Sequence, residues 1–409
     1  MLQIIFSLFY RRQVQVNLLK LSFCAYILVK VGSVYALRCE DVFNPSSMSD
    51  YLSEKGPISL ENIQQADQSR NLSQLVRSNS NQFWAWSSQK ASEYFSQSIL
   101  NLKGLVVGDP HNKNFGLISL NGKVKWSLVD FDDPGYGPYI LDIVRFLAAS
   151  KAVTKDIKSK VLWDFYLKGL KGESIEVPSA LEKYLDITAE QYEKLEANKA
   201  EKFIKNDKLL NDGVESSEIG NVTVKSKILN LFAQHLPDYR ILDVGGREKD
   251  RGGSQDAIRF VALAEKANGS KVIFELKESL GSALRFYEAQ SLDLTNILNF
   301  YIYKNNPSAV LDKSYQKVNL YIEGKDREFL LRPKQLYFFD AANSANNKKE
   351  YAEFEMLTFY NAWYLGKLHG EQSRGRIYLE TITSGAEQSV LDSVKEMSKD
   401  YLAFLEKHL

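Results

Sequence analysis

The chain has 409 residues, of which 44% are hydrophobic and 25% charged, and its formal net charge is +1. This length allows two domains or lobes, each with its own core. The near-zero net charge excludes a bulk electrostatic attraction to nucleic acid or to an anionic membrane.

The N-terminal segment has the layout of a secretory signal. Basic residues ending at Lys20 precede the apolar run LSFCAYILV, and the small residues Val34 and Ala36 follow it. The run is too short for a membrane span and is interrupted by Lys30. We therefore expect a cleaved signal over residues 1–36, with an anchoring helix or a misplaced start as the alternatives.

This signal predicts an exported protein, periplasmic or secreted, without a stable membrane span after cleavage. Without a working signal the protein would be cytoplasmic. Of the two cysteines, only Cys39 would remain in the mature chain, which excludes an internal disulfide and a metal site built from thiolates.

The rest of the chain alternates between helical and strand patterns. A polar, partly helical segment over 37–100 is followed by a strand, a loop and a hairpin, and then by helices up to about residue 235. A second β-rich block covers 236–335, and helices return over 336–409. The order predicts an α+β fold in which 101–235 and 336–409 form one helical lobe.

The strongest local signal is the Asn-Gly pair at 121–122, between FGLISL and KVKWSL. A type I′ turn needs positive φ at both central residues, so this pair predicts a two-residue hairpin turn. Such a turn pairs Leu120 with Lys123 and places Asn114 opposite Val129.

The predicted hairpin brings Asn114 close to Asp130. If regular strand pairing ends near Asp130, the amide oxygen and the carboxylate can share one ion. Hard oxygen ligands of this kind suit Mg²⁺.

The spacing of the polar residues is typical of phosphoryl transfer. Asp109 and Asn114 are five apart, and Asp130-Phe131-Asp132 follows one hairpin later, as in the catalytic loop and metal loop of kinases. Asp109 would then orient a hydroxyl and take its proton. The alternative is a structural turn with Asx caps. His111 either braces the loop by hydrogen bonds or assists a ligand.

A nucleotide site is predicted downstream, in the second β-rich block. Gly252, Gly253 and Ser254 lie in a loop between the strands YRILDVGG and AIRFVALAE. Lys277 ends the next strand, KVIFELKES, and Glu288 follows on a predicted helix that begins near residue 280. A strand Lys held by a helical Glu can bind ATP phosphates. An ordinary loop, an exposed lysine and a surface glutamate remain the plain alternatives.

Several segments resemble, in order, a bacterial family known as domain-of-unknown-function family 2252. They are VVGDPHNKNFG, LVDFDDPGYGPYILDIVRFLAAS, FELKES, EAQ and LGKLHG, and the resemblance covers about residues 90–375. That family is related to the protein kinase-like and aminoglycoside phosphotransferase superfamily, with its elements in a permuted order. The resemblance therefore implies a two-lobed kinase-like fold whose β-rich nucleotide lobe follows the catalytic lobe in sequence.

The resemblance also implies roles for individual residues. Asp109 would be the catalytic base, Lys277 would contact phosphates and Glu288 would hold it. The remaining assignments are the metal ligands Asn114, Asp130 and Asp132, and the structural residues Asp142 and Arg145.

The chain also departs from the family pattern. Arg251 and Asp256 replace two expected loop glycines, and Val129 replaces an Asn. An acid in that loop would repel phosphates.

We accordingly expect a phosphotransferase that uses ATP and Mg²⁺ and moves a phosphoryl group to an unknown hydroxyl on a small molecule or a protein. The first alternative is an exported pseudokinase-like module that binds a nucleotide or another ligand without catalysis. The second is a metal-dependent phosphoesterase that uses Asp109, His111, Asp130 and Asp132 without ATP.

Overall fold

The computed structural model describes most of the chain from residue 72 onward. The described ranges are 72–120, 123–131, 133–210, 217–219, 222–246, 258–279, 281–288, 300–301, 315–322, 325–334 and 348–407. The predicted signal at 1–36, Asp132 and the predicted glycine loop with Gly252, Gly253 and Ser254 lie outside the described residues.

The described part of the chain has a mixed α+β fold, as predicted. Its helices are α1 (Leu72–Ser78), α2 (Ser80–Tyr94), α3 (Gln97–Leu100), α4 (Tyr139–Val153), α5 (Ser159–Leu170), α6 (Ser179–Leu185), α7 (Ala189–Ala200), α8 (Val222–His235), α9 (Lys348–Gly370), α10 (Gly375–Thr383) and α11 (Glu387–Glu406). Short 3₁₀ turns cover Asn112–Asn114, Glu201–Phe203 and Ala283–Phe286. None of the helices within these described ranges is both long enough and apolar enough to cross a membrane.

The strands include the predicted hairpin and the predicted β-rich block, but three short strands over 204–218 interrupt the stretch up to residue 235 that the sequence predicts to be helical. They are β1 (Lys103–Val106), β2 (Phe115–Leu120), β3 (Lys123–Leu128), β4 (Gly135–Pro138), β5 (Ile204–Lys205), β6 (Lys208–Leu209), β7 (Ser217–Glu218), β8 (Tyr239–Gly246), β9 (Arg259–Lys266), β10 (Lys271–Glu278), β11 (Gln316–Ile322) and β12 (Lys325–Pro333). The predicted helix near residue 280 is wrong as far as residue 288, because the described residues there form only a 3₁₀ turn.

The largest sheet has six strands in the order β11-β12-β10-β9-β8-β7, all antiparallel. Side chains alternate between its two faces along each strand. Phe274 and Leu276 of β10 pack with Phe232 of α8 in one apolar core. Glu275 and Lys277 therefore point to the opposite face, where they are also buried.

The β2–β3 hairpin has the register that its turn predicts. Leu120 pairs with Lys123, and Phe115 pairs with Leu128. The last backbone hydrogen bond runs from the Val129 N–H to the Asn114 carbonyl, at 2.9 Å. Regular strand structure ends at Leu128, so the condition for bringing Asn114 and Asp130 together is met.

The helical core is built around α4, which is buried along most of its length. α9 crosses α5 closely, because Gly366 and Gly169 lie at the crossing. A Cβ on Gly366 would collide with the Tyr166 carbonyl, and one on Gly169 with the Trp363 carbonyl. The polar face of α9 reaches the loop that follows Asp109, where the Asn112 amide donates to the Thr358 hydroxyl at 2.7 Å.

Candidate active site

The backbone around Asp109 is held from several directions. The Asp142 carboxylate, near the start of α4, accepts hydrogen bonds from the N–H groups of Val107 (2.7 Å) and Gly108 (3.0 Å). The Trp84 indole donates to the Gly108 carbonyl at 2.7 Å. Gly108 has φ +80°, and a Cβ there would collide with the backbone carbonyl of Asp133. Only glycine therefore fits this position without strain.

The Asp109 side chain is buried against a guanidinium. Arg145, one turn after Asp142 on α4, donates to Oδ1 of Asp109 from both Nε (2.9 Å) and Nη2. Burial alone would raise the pKa of Asp109, but the charge of Arg145 and the contact with His111 outweigh it and hold that pKa below its usual value. Asp109 is therefore a carboxylate at neutral pH.

Both ring nitrogens of His111 are engaged within the loop. Its Nδ1 accepts from the Lys113 N–H at 3.2 Å, so the proton lies on Nε2, which faces Oδ2 of Asp109 at 3.4 Å. Burial lowers the pKa of His111, against the opposing effect of Asp109. A neutral, doubly engaged ring favours the bracing alternative for His111.

The end of the β2–β3 hairpin meets the polar face of the large sheet. The Asp130 carboxylate lies 3.3 Å from the Lys277 Nζ and 3.5 Å from Nη1 of Arg332. Arg332 also donates to the Val129 carbonyl at 2.7 Å. Lys277 is almost fully buried, and burial lowers its pKa while Asp130 opposes that shift.

The sheet supports this arrangement with a second carboxylate. Glu275 pairs directly across from Arg332 in the β10–β12 ladder and binds its Nη2 at 3.1 Å. Glu275 also lies 4.0 Å from the Arg259 guanidinium on β9. One face of the sheet, beside the end of the hairpin, thus carries the cations Lys277, Arg332 and Arg259 together with the carboxylate of Glu275.

Asp133 adds a further acid on the hairpin side. Its Oδ1 accepts from the Ser80 hydroxyl at 3.2 Å. Burial, and then the negative charges of Asp109 and Asp130, raise the pKa of Asp133 to about 7. Three carboxylates are therefore concentrated here, and one of them is partly protonated at neutral pH.

The predicted pairing of Lys277 with Glu288 is not present among the described residues. The Glu288 carboxylate is half exposed and binds Lys103 at the start of β1, whereas Lys277 binds Asp130. The physical reason is the 3₁₀ turn at Ala283–Phe286, which packs against α2 and β4 and so leads the chain away from Lys277.

A divalent cation fits the donors near the end of the hairpin. The amide oxygen of Asn114 and the carboxylate of Asp130 are hard oxygen ligands, and the carboxyl groups of Asp109 and Asp130 are close enough to contribute, after burial, to the raised pKa of Asp133. Within the described ranges no group of three or more His, Cys, Asp or Glu side chains is arranged to hold a metal by itself. Mg²⁺, which takes one or two carboxylates together with substrate phosphates, suits such a sparse donor set better than Zn²⁺.

Sequence reasoning missed Arg332 and Trp84, which contact the site from β12 and α2. Arg332 stands in FLLRPK, where an arginine interrupts an apolar strand, and that interruption is the signal that would have found it. His369 was also missed; its Nε2 lies 3.1 Å from Asp142 and links α9 to the loop.

Comparisons of the chain with protein-family models, with curated proteins and with solved structures found no match.

Proposed function

We propose that this protein is a phosphotransferase with a two-lobed, kinase-like organisation that uses Mg²⁺ and ATP. The observation that carries the proposal is the meeting of the buried Lys277 and the partly buried Arg332 with Asp130, beside the rigidly held loop of Asp109. Lys277 and Arg332 lie on the sheet, and Asp130 lies at the end of the hairpin. When phosphates arrive with their metal, the two cations can therefore exchange Asp130 for the phosphates while Asp130 binds the metal.

In this proposal Lys277 and Arg332 bind the phosphates of ATP, and Asn114 and Asp130 hold the metal. Bound Mg²⁺ would neutralise charge on the phosphate oxygens. Asp142 and Trp84 keep the Asp109 backbone fixed, which lowers the entropic cost of positioning an acceptor.

Asp109 would orient the acceptor hydroxyl. Its Oδ1 is bound by Arg145. Among the described residues Oδ2 has only the long 3.4 Å contact with His111, so it can accept a further hydrogen bond. The acceptor oxygen forms the new bond to the γ-phosphorus as the bond from that phosphorus to the β,γ-bridging oxygen breaks. ADP leaves, and the hydroxyl proton passes to Asp109 and then to water.

A second candidate is a nucleotide-binding module without catalysis. The burial of Asp109 and its pairing with Arg145 favour it, because a carboxylate whose pKa is lowered by a guanidinium is a weak base. This candidate predicts ATP binding without turnover.

The test is the thermal stability of the full chain with and without ATP and Mg²⁺. A ligand at 100 times its dissociation constant adds about 2.7 kcal/mol to the stability of the folded state. We expect this gain in the wild type and its loss in Lys277→Met. Lys271→Met is the matched control: Lys271 lies on the same strand, and its ion pair with Asp207 is far more exposed. That variant should keep the full gain.

Turnover separates the two candidates. If Asp109→Asn binds ATP normally but loses phosphate transfer or hydrolysis that the wild type performs, catalysis by Asp109 is supported. ATP binding with no turnover in the wild type favours the binding module. A wild type whose stability responds to Mg²⁺ alone, and not to ATP, would contradict both and favour the phosphoesterase.

A further inference from the structure

A cleft opens on the side of the Asp109 loop defined by α1 and α4. It is small and open to solvent. Its walls come from α1 (Ser73 and Arg77), from the 3₁₀ turn with His111 and Lys113, and from the later part of α4 with Ser150. His111, which lines this cleft, lies 3.4 Å from Oδ2 of Asp109 through its Nε2.

Arg77 is the distinctive side chain of the cleft. It is half-buried, and its Nε donates to the Ser73 carbonyl at 3.1 Å. No carboxylate within the described ranges lies at ion-pair distance from its guanidinium. Burial lowers the pKa of Arg77, while the more distant Asp109 acts against that shift. A partly desolvated guanidinium without an acid partner is energetically unfavourable, and an anion would stabilise it.

The surroundings of Arg77 point to a small anionic ligand. Lys113 contributes a second cationic side chain to the same walls, while Ser73 and Ser150 contribute hydroxyls. A guanidinium binds a carboxylate or a phosphate through paired N–H donors, so either group fits this cleft. The position beside His111 places such an anion close to the Asp109 loop.

We infer that this cleft binds the acidic group, carboxylate or phosphate, of a small hydroxyl compound that serves as the phosphoryl acceptor. The role of this compound as acceptor rests on the proposed phosphotransferase function, whereas the binding of an anion by Arg77 does not. The substrate class is therefore a hydroxy acid or a phosphorylated polyol rather than a protein or a neutral sugar.

The test is calorimetric titration of the full chain, without ATP, with glycerol 3-phosphate, glycerate and glycerol. These probes share hydroxyl groups and differ in their anionic group. We expect one or both anions to bind, glycerol not to bind, and Arg77→Gln to weaken anion binding by roughly tenfold or more. Arg374→Gln is the control, because Arg374 is an exposed arginine outside the cleft that likewise has no acid partner in the described part of the chain.

A second variant locates the anion. Lys277→Met should leave glycerol 3-phosphate binding unchanged, since Lys277 lies on the sheet and not in the cleft walls. If Lys277→Met abolishes binding and Arg77→Gln does not, the anion occupies the predicted phosphate site and the inference is wrong. Binding of neither anion by the wild type, or equal binding of glycerol, would also overturn it.

Chemical modification gives a readout that does not depend on a variant that folds. Phenylglyoxal should modify Arg77 in the wild type, and glycerol 3-phosphate should slow that reaction, as measured by mass spectrometry. Arg145, which is fully buried, serves as the unreactive internal reference. If glycerol 3-phosphate protects Arg77 but the protein does not bind ATP, the anion site is supported and the acceptor role is not. The experiment therefore distinguishes failure of the anion site from failure of the proposed function.

Discussion

Arg145 is a fully buried guanidinium that is balanced by one close carboxylate, Asp109. Replacing it with methionine leaves the Asp109 charge buried without its partner. Removal of one member of a buried ion pair costs about 3–5 kcal/mol. We therefore expect Arg145→Met to lose about that much unfolding free energy in urea denaturation.

The control for this prediction is Arg240→Met. Arg240 binds Glu265 at 2.5 Å but is mostly exposed, and exposed pairs contribute about 0–1 kcal/mol. Similar losses for the two arginines would show that Asp109 does not depend on Arg145 for its charge.

Asp133 gives a prediction about pH. Its pKa is about 7 in the folded chain and near the ordinary 3.8 when unfolded, so the folded state binds more protons between these values. Stability from this group is complete below about pH 4 and is lost as the pH rises through 7. Asp133→Asn cannot ionise, so its stability relative to the wild type should increase from pH 5 to about pH 7 and then level off.

Urea denaturation at each pH measures this difference. Asp392→Asn is the control, because Asp392 is exposed and a hydrogen bond from Lys395 lowers its pKa. That variant should show no such gain. A stability difference between Asp133→Asn and the wild type that stays constant with pH would contradict the burial and repulsion assigned to Asp133.

At the level of residues, the sequence predicted which residues lie near the site better than it predicted which side chains they contact. The Asn114 amide donates to the Asp109 carbonyl, and the hairpin register brings the Asn114 backbone to Val129, next to Asp130, because both relations are local in sequence. The partner of Lys277 depends on a contact between residues 147 positions apart, which no local pattern encodes. Glu288 was assigned to Lys277 from the order and spacing of the segments and from the family resemblance, but the 3₁₀ turn before Glu288 leads the chain to Lys103 instead.

At the level of elements, the crossing of α5 and α9 depends on Gly366. Alanine has a higher helix propensity than glycine by about 1 kcal/mol, yet a Cβ here meets the backbone of α5. Overpacking costs about 1–3 kcal/mol, so we expect Gly366→Ala to be destabilising overall in thermal or urea unfolding.

Ala352→Gly measures the contribution of helix propensity to stability without any change in packing between the two helices. Ala352 is an exposed residue of α9, and this change should cost about 1 kcal/mol. If Gly366→Ala is instead stabilising by a similar amount, the two helices are not in the close contact described here.

The elements themselves were largely predictable. β8, β9 and β10 match the apolar runs that indicated strands, because each run is bounded by turn residues. The close approach of α5 and α9 was not predictable, since it depends on which glycines face each other across the two helices. The meeting of Lys277 and Arg332 on one face of the sheet was likewise not predictable, because it depends on how distant strands pair.

At the level of the whole molecule, the site combines the hairpin end with one face of the large sheet. Hydrogen exchange should therefore slow in both parts when ATP and Mg²⁺ bind together. We expect protection of peptides that contain Asp130 and of those that contain Lys277 and Arg332. Peptides from the outer face of α11 should not change.

The alternative functions give different patterns in the same measurement. Protection near Asp109 and Asp130 with Mg²⁺ alone would favour the phosphoesterase. Protection of the sheet without the hairpin end would indicate a nucleotide bound away from Asp109, and would contradict the shared site.

The helices that complete the site are made long after the residues that they cover. His369 contacts Asp142 across 227 residues, and Tyr401 contacts the Asn79 carbonyl across 322. At a synthesis rate of roughly 5–20 residues per second, the first of these gaps takes roughly 10–50 seconds to translate. Until then α4 has no α9 or α11 to cover it, and its apolar surface is exposed to aggregation or to chaperones. A ribosome that stalls before α9 would release a chain that holds Asp109 but not the helices that fix it.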